Sequence, residues 1–305
     1  MRVATRGSAL ARWQAERVVE LLGARGGVEA ELVLVETTGD RRTDVPLHSI
    51  GGAGVFVKEV QEAVLDGRAD VAVHSAKDLP AVTPDGLVLA AIPERADARD
   101  ALVGSTLDAL PTGAVVATGS VRRRAQLAAL RPDLGFAELR GNMHTRLDQA
   151  SRYAAIVVAA AAFDRLGLAD RIAERLEPSV MLPQVAQGAL AVECRADDAD
   201  TLALLAAIED AAVRRPVDAE RAFLAELGGG CSLPVGAHAS VMADAEVTIA
   251  PVTIEGLLAT PDGRSIVRTT DTDADPDAAG RRVAATLQAM FDGDLFEAGP
   301  AGAER

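Results

Sequence analysis

Three short stretches of the chain set arginine beside hydroxyl residues where a strand gives way to a helix. They are Thr5-Arg6-Gly7-Ser8, Thr118-Gly119-Ser120-Val121-Arg122-Arg123-Arg124 and Arg140-Gly141-Asn142-Met143-His144-Thr145-Arg146. The start of a helix exposes unpaired N–H groups and the positive end of its dipole, so it suits an anion. Arginines in a first turn oppose that dipole unless an anion compensates them. Arg6, Arg122, Arg123, Arg140 and Arg146 therefore read as forked contacts to a small polyanion. The plainer reading is that Ser8 and Ser120 cap helices and the arginines are solvated.

A second cluster follows a buried strand: His74-Ser75-Ala76-Lys77-Asp78-Leu79-Pro80. A carboxylate among cations stays ionised, and Asp78 in that setting suits stabilising a cation or accepting a proton. A salt bridge to Lys77 or a cap at the turn is the structural alternative. Cys231 lies in Gly229-Gly230-Cys231-Ser232-Leu233-Pro234, an ordered loop that projects its thiol as a nucleophile or covalent anchor. Cys194 sits in an apolar strand and reads as a core thiol. The four histidines form no metal pattern and offer no evident base for a Cys–His hydrolase. Gly51-Gly52-Ala53-Gly54 lacks dinucleotide-fingerprint spacing and reads as a flexible loop.

These residues need strands and helices to hold them. Apolar patterning predicts strands near 3–5, 31–36, 69–73 and 87–92, with helices near 8–22 and 55–65, and a loop over 37–54. The pattern then restarts. Strands are expected near 101–103, 114–117, 136–139, 154–160 and 190–193, with helices near 121–130, 145–150 and 199–208. The last third changes to an α+β pattern. It has a helix near 219–227, strands near 246–249, 252–258 and 265–269, and a closing helix near 277–291.

The 305 residues suffice for two or three domains at about 100–200 residues each. Hydrophobic residues at 49% exclude global disorder, and aromatics at 3% exclude an aromatic base-stacking platform. A net charge of −14 excludes a general nucleic-acid or anionic-membrane binder. With no signal-like apolar region and no apolar run of about 20 residues, a soluble cytoplasmic protein is expected.

In combination the motifs resemble the porphobilinogen deaminase (hydroxymethylbilane synthase) family. They are Ala4-Thr5-Arg6-Gly7-Ser8-Ala9-Leu10-Ala11 with Gln14, Val73 to Pro80, Arg122-Arg123 before Ala125-Gln126-Leu127, Leu139-Arg140-Gly141-Asn142 with Thr145-Arg146, Leu182 to Ala189, and Gly229-Gly230-Cys231. The resemblance covers the chain from Val3 to about the final helix. It implies an α/β fold with two periplasmic-binding-protein-like domains, each with a mixed, mostly parallel sheet, plus a C-terminal α+β domain. The implied bounds are 1–93 plus 189–207, 97–186 and 212–305.

The resemblance further implies a dipyrromethane cofactor joined to Cys231 by a thioether, with four porphobilinogen molecules added head to tail, each losing ammonia. Water then releases hydroxymethylbilane. Asp78 is the implied catalytic residue. Arg6, Ser8, Ser75, Lys77, Thr118, Ser120, Arg122, Arg123, Arg140 and Arg146 would hold the cofactor. Arg6, Arg140, Arg146, Arg165, Gln187 and Lys58 would hold substrate. No metal, nucleic acid or membrane partner is implied, and a monomer is expected. The sequence departs from the family pattern at Ala53, where lysine is common, at Gly119, where a hydroxyl is lost, and at Met143-His144. The alternatives are a non-catalytic cytoplasmic anion-binding protein of periplasmic-binding type and a thiol enzyme using Cys231 in turnover.

Overall fold

The computed structural model describes residues 1–41, 54–229, 233–241 and 250–291. In chain order its strands are β1 Arg2–Arg6, β2 Glu31–Val35, β3 Val71–Ser75, β4 Leu87–Ala91, β5 Asp100–Val103, β6 Val115–Ala117, β7 Gly135–Ala137, β8 Ala155–Ala159, β9 Glu174–Leu176, β10 Leu190–Arg195, β11 Val235–Val241, β12 Val252–Ala259 and β13 Ile266–Asp273. The helices are α1 Ala9–Leu21, α2 Thr38–Arg41, α3 Lys58–Leu65, α4 Val121–Leu130, α5 Met143–Gln149, α6 Ala160–Arg165, α7 Ala199–Ala206, α8 Ala211–Glu226 and α9 Pro276–Met290.

Two five-stranded sheets repeat one layout. The first has the order β2-β1-β3-β10-β4 and the second β7-β6-β8-β5-β9. In each, the first three strands pair in parallel and the fourth is antiparallel to both its neighbours. Four strands thus share a direction and one opposes them. The opposing strands, β5 and β10, lie just beyond the two chain segments that cross between the halves. Those segments touch through an isolated antiparallel bridge, Arg95 to Ala189. Apolar clusters fill both faces of each sheet. In the first, Val71, Val73, Val18 and Leu22 pack on the α1 side, and Ala72, Val60 and Val64 on the α3 side. Burial on both faces explains why β3 and β8 read as apolar runs, not alternating ones.

The third unit is the antiparallel sheet β11-β12-β13, covered by α8 and α9 around Phe223, Ile254, Leu258, Val283 and Leu287. Its other face meets α4 through Leu257, Ala259 and Ala125.

Most expected elements form within a few residues of their expected ends. α8 begins at Ala211, eight residues before the expected start, and carries Pro216 inside it. Proline forfeits one helical hydrogen bond, which burial of Pro216, Val217, Phe223 and Leu224 offsets. β9, β11 and α6 were not expected, and residues 38–41 form a helical turn inside the expected loop. The strand expected near 246–249 lies outside the described residues. No helix among the described residues is long and apolar enough to cross a membrane.

Candidate functional site

The parallel strands aim their carboxyl ends at one cavity of about 790 Å³ between the two α/β halves. Such a size suits a small organic ligand, and its position follows the rule that ligands bind beyond the C-terminal ends of parallel strands. Six cations line it: Arg6, Lys77, Arg123, Arg140, Arg146 and Arg165. Three carboxylates, Glu36, Asp40 and Asp78, share the wall. A chain of net charge −14 thus keeps an excess of cations around one cavity.

Arg6 ends β1, forms an ion pair with Asp40 and lies 4.2 Å from the Phe56 ring centroid. Burial pushes the Asp40 carboxyl up, but Arg6 and Thr37 outweigh it and hold the group below its ordinary value. Ser8 caps α1, accepting from the Ala11 N–H at 3.3 Å. Ser75, the last residue of β3, accepts from Gln14 Nε2 at 2.8 Å. The chain then turns through a short 3₁₀ helix, Ala76–Asp78, which sets Lys77 and the half-buried Asp78 at the wall. Burial, reinforced by Arg123, pushes the Lys77 ammonium down to about 8, although Asp78 pulls the other way.

The second half contributes the α4 start. Ser120 caps the helix and accepts from the Arg123 N–H at 3.4 Å. The two arginines that follow share one carboxylate that the sequence reading missed. Arg122 reaches Asp100 at 2.7 Å and the Leu182 carbonyl at 2.7 Å, while Arg123 reaches Asp100 at 2.9 Å and the Val157 carbonyl at 2.9 Å. Asp100 is fully buried. Burial alone would raise its pKa, but the two guanidinium groups hold it well below the carboxylate range. An ionisable residue opening an apolar strand was the available signal.

The structure divides the expected site residues. Arg6, Ser8, Ser75, Lys77, Asp78, Ser120, Arg123, Arg140, Arg146 and Arg165 line the cavity. Arg122 and Thr118 are buried behind it, and the Thr118 hydroxyl accepts from the Ser120 N–H at 3.2 Å. Gln187 is also off the wall and fully buried. Its carbonyl accepts from Lys77 at 3.3 Å and its amide donates to Asp100 at 2.9 Å, bridging the two cation sets. Lys58 points to solvent with 78% of its side chain exposed, 3.8 Å from Glu62. Cys231 and Ala53 lie outside the described residues. Cys194 is buried, and burial first pushes its thiol up to about 11, as suits a core position. Among the described residues no cluster of His, Cys, Asp and Glu could hold a metal ion.

Arg146 and Arg165 are pushed down to about 10 by burial, with Arg123 and Arg140 adding to the effect at Arg146. Arg165 Nε is buried and has no hydrogen-bond partner among the described residues. A donor set of buried cations, one of them with an unused N–H, fits a ligand bearing several carboxylates.

A family model described as "Porphobilinogen deaminase, dipyromethane cofactor binding domain" matches residues 1–203. A second, "Porphobilinogen deaminase, C-terminal domain", matches residues 215–289. The porphobilinogen deaminase of Brevibacillus brevis is 46% identical over 301 residues, covering 97% of this chain and 96% of the relative. That of Acidothermus cellulolyticus is 48% identical over 298 residues, covering 94% and 88%. Among solved structures, immunogenic lipoprotein A from Vibrio vulnificus superposes with a TM-score of 0.41 at 14% identity, over 70% of this chain and 96% of the other.

Proposed function

The chain belongs to the porphobilinogen deaminase family, and from that membership we propose how its own residues perform the reaction. The enzyme joins four porphobilinogen molecules head to tail onto a covalent dipyrromethane primer and releases hydroxymethylbilane by hydrolysis. When bound, the primer supplies the pyrrole end at which the chain grows. Cys231 is proposed to anchor it. Arg6, Lys77, Arg123, Arg140 and Arg146 are proposed to hold acetate and propionate carboxylates, with Ser8, Ser75 and Ser120 adding polar contacts. Arg165 is proposed to meet incoming substrate. Arg122 and Gln187 act from behind the wall, through Asp100 and Lys77.

Loss of ammonia breaks the C–N bond of the substrate's aminomethyl group. The bonding electrons leave with nitrogen, and a cation remains on the substrate. Asp78 stands at the wall next to Lys77, whereas the wall carboxylate Asp40 is paired with Arg6. An ionised carboxylate there stabilises the developing cation and receives the proton released when the new C–C bond restores the pyrrole. The observation that carries this reading is the convergence of Asp78 and six cations on one cavity.

We further propose three domains, 1–93 plus 189–207, 97–186 and 212–305. The two repeated sheets and the separate antiparallel sheet support that division. A cytoplasmic monomer is part of the same proposal. The alternative of a non-catalytic anion binder explains the cations but leaves Asp78 without a purpose.

Intact mass tests the assignment. The chain from a tetrapyrrole-producing host should carry an increment equal to two condensed porphobilinogen units. Cys231→Ala should show the unmodified mass and no turnover. An increment on Cys194 would sink the assignment.

A further inference from the structure

We infer that Trp13 is a positioning residue for the reaction, holding the Arg165 guanidinium so that its free edge meets a substrate carboxylate. This rests on the role proposed for Arg165 above. Trp13 belongs to α1 of the first half and does not line the cavity. Arg165 ends α6 of the second half and does. The guanidinium carbon lies 5.4 Å from the Trp13 ring centroid, within cation–π range. Arg165 Nη2 donates to the Gly188 carbonyl at 2.7 Å, on the segment that crosses between the halves. One turn along α1, Arg17 pairs with Glu94 of the other crossing segment at 2.9 Å. Glu94 and Asp164 are the carboxylates whose charge favours Arg165.

The physical argument concerns orientation. A planar guanidinium bonded only in its plane to one carbonyl can still swing about that bond. An aromatic face packed against the cation restricts the swing, and costs little entropy because the ring is stiff. The Nε edge, buried and without a hydrogen-bond partner among the described residues, is then fixed before a ligand arrives. The three contributing elements come from both halves and the crossing segment. The Arg165 donor is thus aimed only when the halves stand as they do here.

The test uses holoenzyme and porphobilinogen. Trp13→Leu keeps apolar bulk but removes the π face, and should raise KM about three- to tenfold, the range of a partly desolvated cation–π contact, with kcat little changed. Trp13→Phe retains a weaker face and should fall between Leu and the wild type. In an Arg165→Met background, Trp13→Leu should raise KM no further. Trp13 is the only tryptophan, so its emission reads the stack without turnover. Emission should shift in Arg165→Met, and should respond saturably to porphobilinogen in the wild type but not in that variant. Wild-type KM in Trp13→Leu, an equal KM rise in both backgrounds, or unchanged emission in Arg165→Met would overturn the inference. If Trp13→Leu does not fold, Trp13→Phe and the emission of Arg165→Met decide it. Wild-type holoenzyme without hydroxymethylbilane formation would overturn the proposed reaction instead, while emission still judges the stack.

Discussion

At the scale of single residues, Asp78 and Lys77 are neighbours with opposite demands. In the proposed reaction Asp78 meets a cation as a charged group, and Asn is nearly isosteric but uncharged. Asp78→Asn should therefore fold and carry the covalent cofactor by mass, yet lose turnover by about 10²–10³-fold. Asp78→Glu should retain more. A near-native rate in a fully loaded Asp78→Asn protein would show that the carboxylate is structural. Lys77 sits at about 8 because burial disfavours its ammonium. As pH rises through that value the folded protein releases the proton before the unfolded chain does. Stability therefore rises across the window between about 8 and the ordinary lysine value, while attraction for a carboxylate is lost. Calorimetry on cofactor-free Cys231→Ala protein should show porphobilinogen affinity falling from about pH 7 to about pH 9. Lys77→Arg should remove most of that fall, since arginine stays charged. Equal pH dependence in both proteins would remove Lys77 from the anion site.

Elements set where these residues can point. β1, β3 and β6 each end at the cavity edge, and α1 and α4 start there with serine caps. The crossing segments are less regular. Gly188 has φ +88°, and a Cβ there would stand 2.5 Å from the Ala96 carbonyl oxygen. Glycine is required for both reasons. Gly188→Ala should cost about 1–3 kcal/mol from backbone strain, with more from the clash. It should also raise KM, because the Gly188 carbonyl holds Arg165. Thermal unfolding and initial rates check both, and an unchanged melting temperature would show that the segments can part freely.

For the whole molecule, Glu220 on α8 ties the third unit to the crossings. It is fully buried, and its oxygens meet Arg95 at 2.8 and 3.2 Å, the Ala186 N–H at 2.6 Å and the Ala239 N–H at 2.7 Å. Among the described residues Ala186 is the non-glycine residue with positive φ, at +57°. Its contact with Glu220 helps hold that conformation. Glu220→Ala should destabilise the protein by about 3–5 kcal/mol, since it strands Arg95 and two buried N–H groups. Denaturant unfolding with a loss under 1 kcal/mol, on the order of an exposed pair, would contradict the buried-hub reading.

The strand-to-helix junctions were legible because small hydroxyl residues, glycine and arginine stand at fixed offsets from apolar runs. So were the repeated α/β pattern and the place of Asp78 just after β3. β11 escaped because Val235-Gly236-Ala237-His238-Ala239 alternates weakly, and its pairing with β12 is a long-range choice. The start of α8 was obscured by Pro216, whose cost only tertiary burial offsets. Sequence also grouped Arg122 with Arg123 and gave Gln187 to the substrate. Adjacent helical residues point about 100° apart, so in the folded chain Arg123 reaches the cavity while Arg122 remains behind it. The sequence by itself determined which charges exist and which strand ends carry them. The tertiary structure decided which of them face one another, because Asp100 meets Arg122 and Arg123 only when α4 packs on the second sheet, and Gln187 and Trp13 meet their partners only when the two halves close on the crossing segments.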